Sequence, residues 1–391
     1  MDFSRITLED ATKAFWKEVR AFCAEHVTEE VLEEERRTGA GFNEALHFAL
    51  AERGWLTPDW PVEDGGAALD PLRHQILVTE LRRSNAPLIV AGTTVLTTIG
   101  VRDFADEALK ADVLRKVASG HVRICLGYTE PDTGSDLAGV RTRATRDGNE
   151  WVISGQKMFT TGAQVCQYSF LLARSNPDAP KHRGLTMFLV PLDRAGVQIT
   201  GIGTLGGERT NFVYYDDVRI GDDHRLGPAD EGWAVLSGTL GAEHGTNRRG
   251  RLGLREPDES YVSTTRELLG AVSEWARDTR DEHGRRVLDD PFARVRLAEV
   301  ALDVEVSGLV TGPSGRILSS ELLIRDAADL LDLVGPAGLV QHGERGAVAD
   351  GFPEYAHRYA QGTAIYGGST DIHRNMIAER YLGLPRSTPK G

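Results

Sequence analysis

From Ala11 to about Gly120 the apolar residues recur at helical spacing: Phe15, Val19 and Phe22 lie four and three apart, and a second set runs around Ala45 to Leu56. This pattern predicts an all-helical first domain over residues 1–120. Gly54-Trp55, Pro58, Pro61 and Asp64-Gly65-Gly66 interrupt it, because proline removes a donor and glycine accepts left-handed turns. A long internal loop is expected there. Over residues 121–231 the period changes to two. Arg141 to Arg146 and Glu150 to Ser154 flank an Asp147-Gly148 turn signal, while Tyr168, Phe170, Leu172 and then Leu185, Met187, Leu189 alternate as strand faces do. Asn211 to Val218 reads as a further strand, so the middle is a β domain of barrel or sandwich type. Over residues 232–391 helical spacing returns, with stripes at Leu297, Val300, Ala301, Val304 and at Leu323, Ala327, Leu330, Val334 that predict a helical bundle core. The order helical, β, helical gives an α+β chain and argues against a doubly wound nucleotide fold.

A length of 391 residues fits two or three structural units. No window approaches the roughly 18 uninterrupted apolar residues of a membrane span. A net charge of −13 with acids spread along the chain argues against a nucleic-acid ligand, which needs a concentrated basic surface. Short basic runs such as Arg248, Arg249, Arg251 read as a solvated helix face. Cys23, Cys125 and Cys166 are too few and too scattered for a disulfide framework or a zinc site, which points to a reducing, cytoplasmic compartment. Met1 to Lys13 has neither a signal-peptide core nor a transit pattern, so the mature protein is expected to start near Met1.

Gly201-Ile202-Gly203-Thr204-Leu205-Gly206 matches the dinucleotide fingerprint letter for letter, but the segment that follows reads as a strand where the fingerprint needs a helix. There is no nucleophile elbow, P-loop or His-Glu-x-x-His motif. Two other stretches carry chemistry. Gly127-Tyr128-Thr129-Glu130-Pro131-Asp132-Thr133-Gly134-Ser135-Asp136 offers glycines, hydroxyls and amides to an anionic or polar ring. Gly155-Gln156-Lys157-Met158-Phe159-Thr160-Thr161-Gly162-Ala163 places an aromatic and two hydroxyls before a glycine. Each alone also reads as a plain turn.

Together and in this order they resemble the acyl-CoA dehydrogenase family of flavoenzymes. The likeness continues through Gly184 to Val190, Tyr215 to Ile220, Gly227 to Trp233, and near the end Arg358, Tyr366, Ile372, Arg374, Asn375 and Ala378. It implies a helical domain, a central β domain and a carboxyl-terminal four-helix bundle. It also implies FAD held between the β domain and the bundle, and removal of two hydrogens from the α and β carbons of an acyl-CoA. Carried over by position, Leu126, Tyr128 and Thr129 face the flavin pyrimidine edge, Gly134 and Ser135 lie near the cofactor phosphates or the CoA, and Phe159, Thr160 and Thr161 cover the ring. Gly335, Gly338, Ser369 and Asp371 fall in further cofactor segments, and His244, Tyr366 and Gly367 face substrate. Glu130 and Asp136 are expected to hold the loop's own amides.

The sequence departs from the family pattern at two places. Dehydrogenation needs a carboxylate beside the α-carbon, because a thioester α-proton is weakly acidic. Many family members place a Glu directly after the Tyr aligned with Tyr366, where this chain has Gly367. A branch that includes the isovaleryl, long-chain and steroid-side-chain enzymes places the base on an early helix of the last domain, and that position here is Glu243, followed by His244 where Arg is usual. Glu243 is therefore the expected base, and Gly367 retains an N–H for the thioester oxygen. Gly367-Gly368 also leaves room for a bulky or branched acyl group. The family's cross-dimer Arg-Phe-Gly contact to FAD phosphate is missing from Arg285 to Phe292, while Asp332 and Asp371 stand where Gln is common. These losses point to a heterotetramer with a paralogous subunit, or a homotetramer with rearranged contacts, passing electrons to an electron-transfer flavoprotein in fatty acid or steroid catabolism. A flavin monooxygenase or oxidase, and a non-catalytic partner subunit, are the rival readings.

Overall fold

A computed structural model of the chain describes the backbone of residues 7–243 and 259–385, with the side chains of 239–243 and 259–260 outside the description. The chain divides into two compact units: residues up to Glu243 except Leu205–Gly207, and those three residues together with the chain that follows Glu259.

The first unit opens with six helices: α1 Asp10–His26, α2 Glu29–Thr38, α3 Glu44–Glu52, α4 Pro71–Arg83, α5 Ile89–Phe104 and α6 Glu107–Ala118. The three-and-four spacing of α1 buries Val19 and Phe22 against Leu46, Leu50, Trp55 and Leu77. Local chemistry sets the starts. The Asn43 side chain accepts the Leu46 N–H to cap α3, and Asp70 caps α4 ahead of Pro71, whose missing N–H costs nothing in a first turn. The expected loop lies between α3 and α4, where Gly54 takes φ +67° and a Cβ would sit 2.7 Å from the Gly66 carbonyl carbon.

Eight strands follow: β1 Ile124–Gly127, β2 Arg143–Asp147, β3 Glu150–Lys157, β4 Tyr168–Arg174, β5 Leu185–Pro191, β6 Val197–Gly203, β7 Arg209–Gly221 and β8 Arg225–Leu226. They form one mixed sheet in the order β6-β7-β3-β2-β4-β5-β8, with β1 parallel to β4. β2 and β4 meet through the single pair Arg143↔Arg174, so the sheet folds into two halves. One buried cluster joins Trp151, Ile153, Val213 and Tyr215 of one half to Leu171, Phe188 and Val190 of the other. The alternate residues Phe170, Leu172, Met187 and Leu189 pack on Val101, Val113 and Val117 of the helices. Both faces of β4 and β5 are thus buried, and the two-residue period sorts their side chains between two cores. The β2–β3 hairpin turns on Gly148-Asn149, one residue beyond the expected Asp147-Gly148, because Asp147 pairs with Glu150. The Gly201–Gly206 stretch leaves β6 toward β7 with no helix following. Helix α7, Gly232–Glu243, closes the unit.

The second unit contains α8 Glu259–Asp278, α9 Pro291–Ser307, α10 Gly312–Val334, α11 Phe352–Thr363 and α12 Thr370–Met376. Leu323, Ala327 and Leu330 of α10 are fully buried against Leu268, Val272, Val300 and Ala356. Each buried leucine there contributes about 2 kcal/mol of transfer free energy.

Candidate functional site

The loop that leaves β1 is fixed by charge. Gly127 passes so close to β4 that a Cβ would lie 2.5 Å from Ser169 Oγ. Lys157, fully buried at the end of β3, donates from Nζ to the Tyr128 carbonyl at 3.1 Å and to Glu130 Oε1 at 2.8 Å. Glu130 also accepts the Arg141 N–H at 2.7 Å and the Thr142 N–H at 2.9 Å, and Met158 N–H donates to the Thr129 carbonyl at 2.8 Å. An ion pair out of water is costly unless its remaining donors and acceptors are satisfied, and here three further contacts, from the Tyr128 carbonyl and the Arg141 and Thr142 amides, do so. Burial pulls the Lys157 ammonium down to about 8, although Glu130 pushes the other way. Burial raises the Glu130 carboxyl, but Lys157 and the two amides outweigh it and hold it below its usual range.

Met158 leads into Phe159, whose φ of +55° is a left-handed conformation that non-glycine residues rarely adopt. Its ring is 53% exposed. Next to it, Thr160 N–H donates to the Asn211 carbonyl at 2.9 Å and Asn211 Nδ2 donates back to the Thr160 carbonyl at 2.9 Å, so β7 holds this peptide in place. Asn211 Nδ2 also reaches Gln164 Oε1 at 2.7 Å. Thr160 is fully buried, yet its Oγ1 has no hydrogen-bond partner, and Thr161 Oγ1 reaches Thr210 Oγ1 at 3.3 Å. A strained residue presenting an exposed aromatic face suits stacking against a flat ring, and the orphaned Thr160 hydroxyl lies inside, next to it in the chain.

The turn Glu130–Thr133 is closed by reciprocal backbone bonds of 2.9 and 3.1 Å. Thr133 Oγ1 is buried without a partner, a Cβ at Gly134 would meet only Thr129 Cγ2 at 3.9 Å, and Ser135 is exposed. Leu126, Tyr128, Thr129, Gly134, Ser135, Phe159, Thr160 and Thr161 therefore lie on one sheet end and the two segments sewn to it. Glu130 holds loop amides as expected. Asp136 instead pairs with Lys181 from the β4–β5 connection, where His182 stands edge-on to Trp233 with ring centroids 4.7 Å apart. Lys157, Lys181 and His182 carry no period or spacing that singles them out in the sequence. A groove of about 940 Å³ opens beside Tyr168, Arg194 and His224, and neither Phe159 nor the Tyr128–Ser135 loop lines it.

In the second unit Arg316 of α10 donates from Nη2 to the Tyr366 carbonyl at 2.6 Å and from Nη1 to Ser320 Oγ at 2.7 Å, with its guanidinium 4.6 Å above the Tyr261 ring. Gly367 and Gly368 follow with φ of +64° and +82°. Two successive left-handed residues suit glycine alone, so a Glu at 367 would be strained. Ser369 caps α12 by accepting the Ile372 N–H, and Asp371 is exposed beside Arg374. Gly335 and Gly338 lie elsewhere, at the far end of α10, about 20 Å along the helix from Glu321, the partner of Arg374. Gly338 is packed within its own turn, where a Cβ would meet Leu331 at 3.0 Å. Asp332 is held by Arg296 at 3.0 Å, and Arg285 and Arg286 are bound to Asp281 and Asp289. Asp332 and Asp371, which stand where Gln is common in the family, thus carry their own arginines. Glu243 is the last residue of α7, its side chain lies outside the described residues, and so does His244 altogether.

Three family models match the chain: acyl-CoA dehydrogenase N-terminal domain over residues 9–121, middle domain over 125–218 and C-terminal domain over 314–382. The acyl-CoA dehydrogenase IpdE1 of Mycobacterium tuberculosis is 34% identical over 88% of this chain and 88% of its own length. FadE26 of the same organism, also an acyl-CoA dehydrogenase, is 30% identical over 86% of this chain and 87% of its own. Among solved structures, the Tcur3481-Tcur3483 steroid ACAD superposes with a TM-score of 0.83 at 30% identity, covering 99% of this chain and 100% of that one. The ChsE4-ChsE5 complex of Mycobacterium tuberculosis gives 0.83 at 28%, covering 98% and 100%.

Proposed function

The chain belongs to the acyl-CoA dehydrogenase family, and from that premise we propose that it dehydrogenates a bulky acyl-CoA, branched or steroid-derived, with Glu243 as the base for the α-proton. The family is FAD-dependent, and FAD supplies the acceptor for the hydride leaving the β-carbon. The observation that carries the reading is the left-handed, exposed Phe159 on a loop clamped by Lys157 and Glu130. Leu126, Tyr128, Thr129, Phe159, Thr160 and Thr161 would hold the ring, with Gly134 and Ser135 toward its phosphates or the CoA. Gly335 and Gly338 at the end of α10, and Ser369 and Asp371 about 20 Å away, are the remaining proposed cofactor positions. On the substrate side stand Ser135, His244, Tyr366 and Gly367.

Glu243 takes the α-proton while the Gly367 N–H donates to the thioester oxygen, where enolate charge develops; a donor preset for that charge lowers the barrier without reorganising. The glycine pair leaves the acyl side open, and a steroid enzyme among the similar structures supports a bulky substrate. Domains at 1–120, 121–231 and 232–391, a cytoplasmic setting and an electron-transfer flavoprotein as acceptor complete the proposal.

We further infer a tetramer that includes a paralogous chain. Phe292, Val295, Leu302 and Val306 make an exposed apolar stripe on α9, Phe292 being 81% exposed, and two of the similar structures are complexes of unlike chains. This stripe also favours the second reading, a partner subunit that stabilises an active paralogue. Anaerobic titration of the FAD-loaded protein with a panel of acyl-CoAs separates them. Bleaching of the flavin by a bulky acyl-CoA that disappears in Glu243→Gln supports dehydrogenation by this chain. Tight binding of the thioesters without bleaching, in the isolated chain and in its complex, rejects it.

A further inference from the structure

Gly367 is the residue whose backbone has most freedom to turn, since neither it nor Gly368 has a side chain to lock the peptide between Tyr366 and Gly367. The structure nevertheless fixes that peptide from one side. Its carbonyl, belonging to Tyr366, accepts a 2.6 Å bond from Arg316 Nη2. Arg316 is itself immobilised: its other nitrogen donates to Ser320 Oγ at 2.7 Å, its plane lies 4.6 Å from the buried Tyr261 ring, and Ser320 Oγ donates back to the Arg316 carbonyl at 2.7 Å. In a trans peptide the C=O and N–H point in opposite directions. Holding the carbonyl toward Arg316 therefore turns the Gly367 N–H away from it, and no acceptor among the described residues is paired with that N–H.

We propose that Arg316 is the positioning residue of the Gly367 amide: it aims the N–H outward and, by polarising the shared peptide, strengthens it as a donor. A charge-assisted bond to the carbonyl draws electron density from the amide nitrogen, and successive hydrogen bonds along one peptide reinforce each other. A glycine at 367 makes this hold necessary, because a free Gly-Gly peptide would turn its N–H away for part of the time. The inference rests on the reading of Gly367 as the thioester-oxygen donor, and it adds a residue that touches neither substrate nor cofactor.

The test is the infrared carbonyl band of an isotope-labelled enoyl-CoA product bound to the FAD-loaded protein in its isolated assembly, with kcat and KM measured alongside. In the unaltered protein the thioester band should move to lower frequency than in solution. Arg316→Met should lose most of that displacement and about tenfold to a hundredfold in kcat, with KM changed little, since a transition-state donor is weakened. Arg316→Lys, which keeps a cationic donor, should recover part of both; it also serves if Arg316→Met does not fold. A folded Arg316→Met or Arg316→Gln protein with the full band displacement and unchanged kcat overturns the proposal and leaves the dehydrogenase reading intact. Absence of any displacement in the unaltered protein removes Gly367 as donor, and Arg316's role with it.

Discussion

Lys157 and Glu130 form an ion pair at 2.8 Å whose two side chains are 0% and 6% exposed, and it joins the end of β3 to the loop after β1. The pair ties together two segments that the sequence separates by 27 residues and that carry between them most of the proposed cofactor contacts.

Breaking this pair from one side should be severe. Lys157→Met leaves a buried carboxylate without its cation and is expected to cost about 3–5 kcal/mol, read by urea unfolding, with loss of FAD on gel filtration. Glu130→Gln keeps the shape and one acceptor, so its cost should be smaller. Equal stability of the Lys157→Met protein and the parent would remove the clamp from the account.

Thr160→Val separates binding from folding. The hydroxyl is buried without a partner, so replacing it by a methyl should raise the stability of the FAD-free chain by about 1 kcal/mol while weakening FAD retention. Calorimetry of the two FAD-free proteins and equilibrium dialysis with FAD check both halves. A variant that binds FAD as the parent does would show that this hydroxyl does not face the cofactor.

His47 should govern part of the acid limb of stability. Burial first, and then the neighbouring Arg123 charge, pull its imidazole from 6.5 to about 4, although its ring bonds the Gly120 carbonyl at 3.2 Å. Between those values the unfolded chain takes up a proton that the folded chain refuses. The stability from this residue is complete above pH 6.5 and is lost as pH falls toward about 4, by about 3 kcal/mol at most. In His47→Gln that slope should flatten when unfolding is measured across the same window.

Asp326 has the opposite sign. It is 1% exposed inside the bundle, and burial lifts its carboxyl from 3.8 to about 6 in spite of the adjoining Arg325. The folded chain holds the proton more tightly, so stability is lost as pH rises through this interval and the ionised group is a burden at neutral pH. Asp326→Asn should raise the unfolding free energy at neutral pH by up to about 3 kcal/mol, less the contact Arg325 loses, and give no gain near the carboxyl's ordinary 3.8, as urea unfolding at the two pH values would show.

Periodicity made the helical and β regions legible because a stripe such as Val19 and Phe22, or Leu323, Ala327 and Leu330, records which face is buried. The strands Tyr168–Arg174 and Leu185–Pro191 were legible as strands but not as doubly buried ones, since both of their faces are apolar for different neighbours. The chemistry near Phe159 was visible as a motif. Its support was not: a lysine in an alternating strand reads as solvent-facing, and only the fold shows Lys157 facing Glu130. Asp332 was visible only as a departure from Gln, because nothing in the sequence shows that Arg296, 36 residues earlier, reaches it.

The single residue pair joining the two halves of the sheet has a kinetic consequence. β1 belongs with β4 and β5, whereas β3 belongs with β2, β6 and β7, so the clamped loop is built across the seam. Neither half contains the loop together with its lysine. During folding each half can gather its own strands, but the clamp closes only when both halves are in place, since Lys157 and Glu130 sit on opposite sides of the seam although only 27 residues separate them. Cofactor uptake should therefore mark the last step of maturation of this unit, and a chain stalled with one half formed would be compact, strand-rich and colourless.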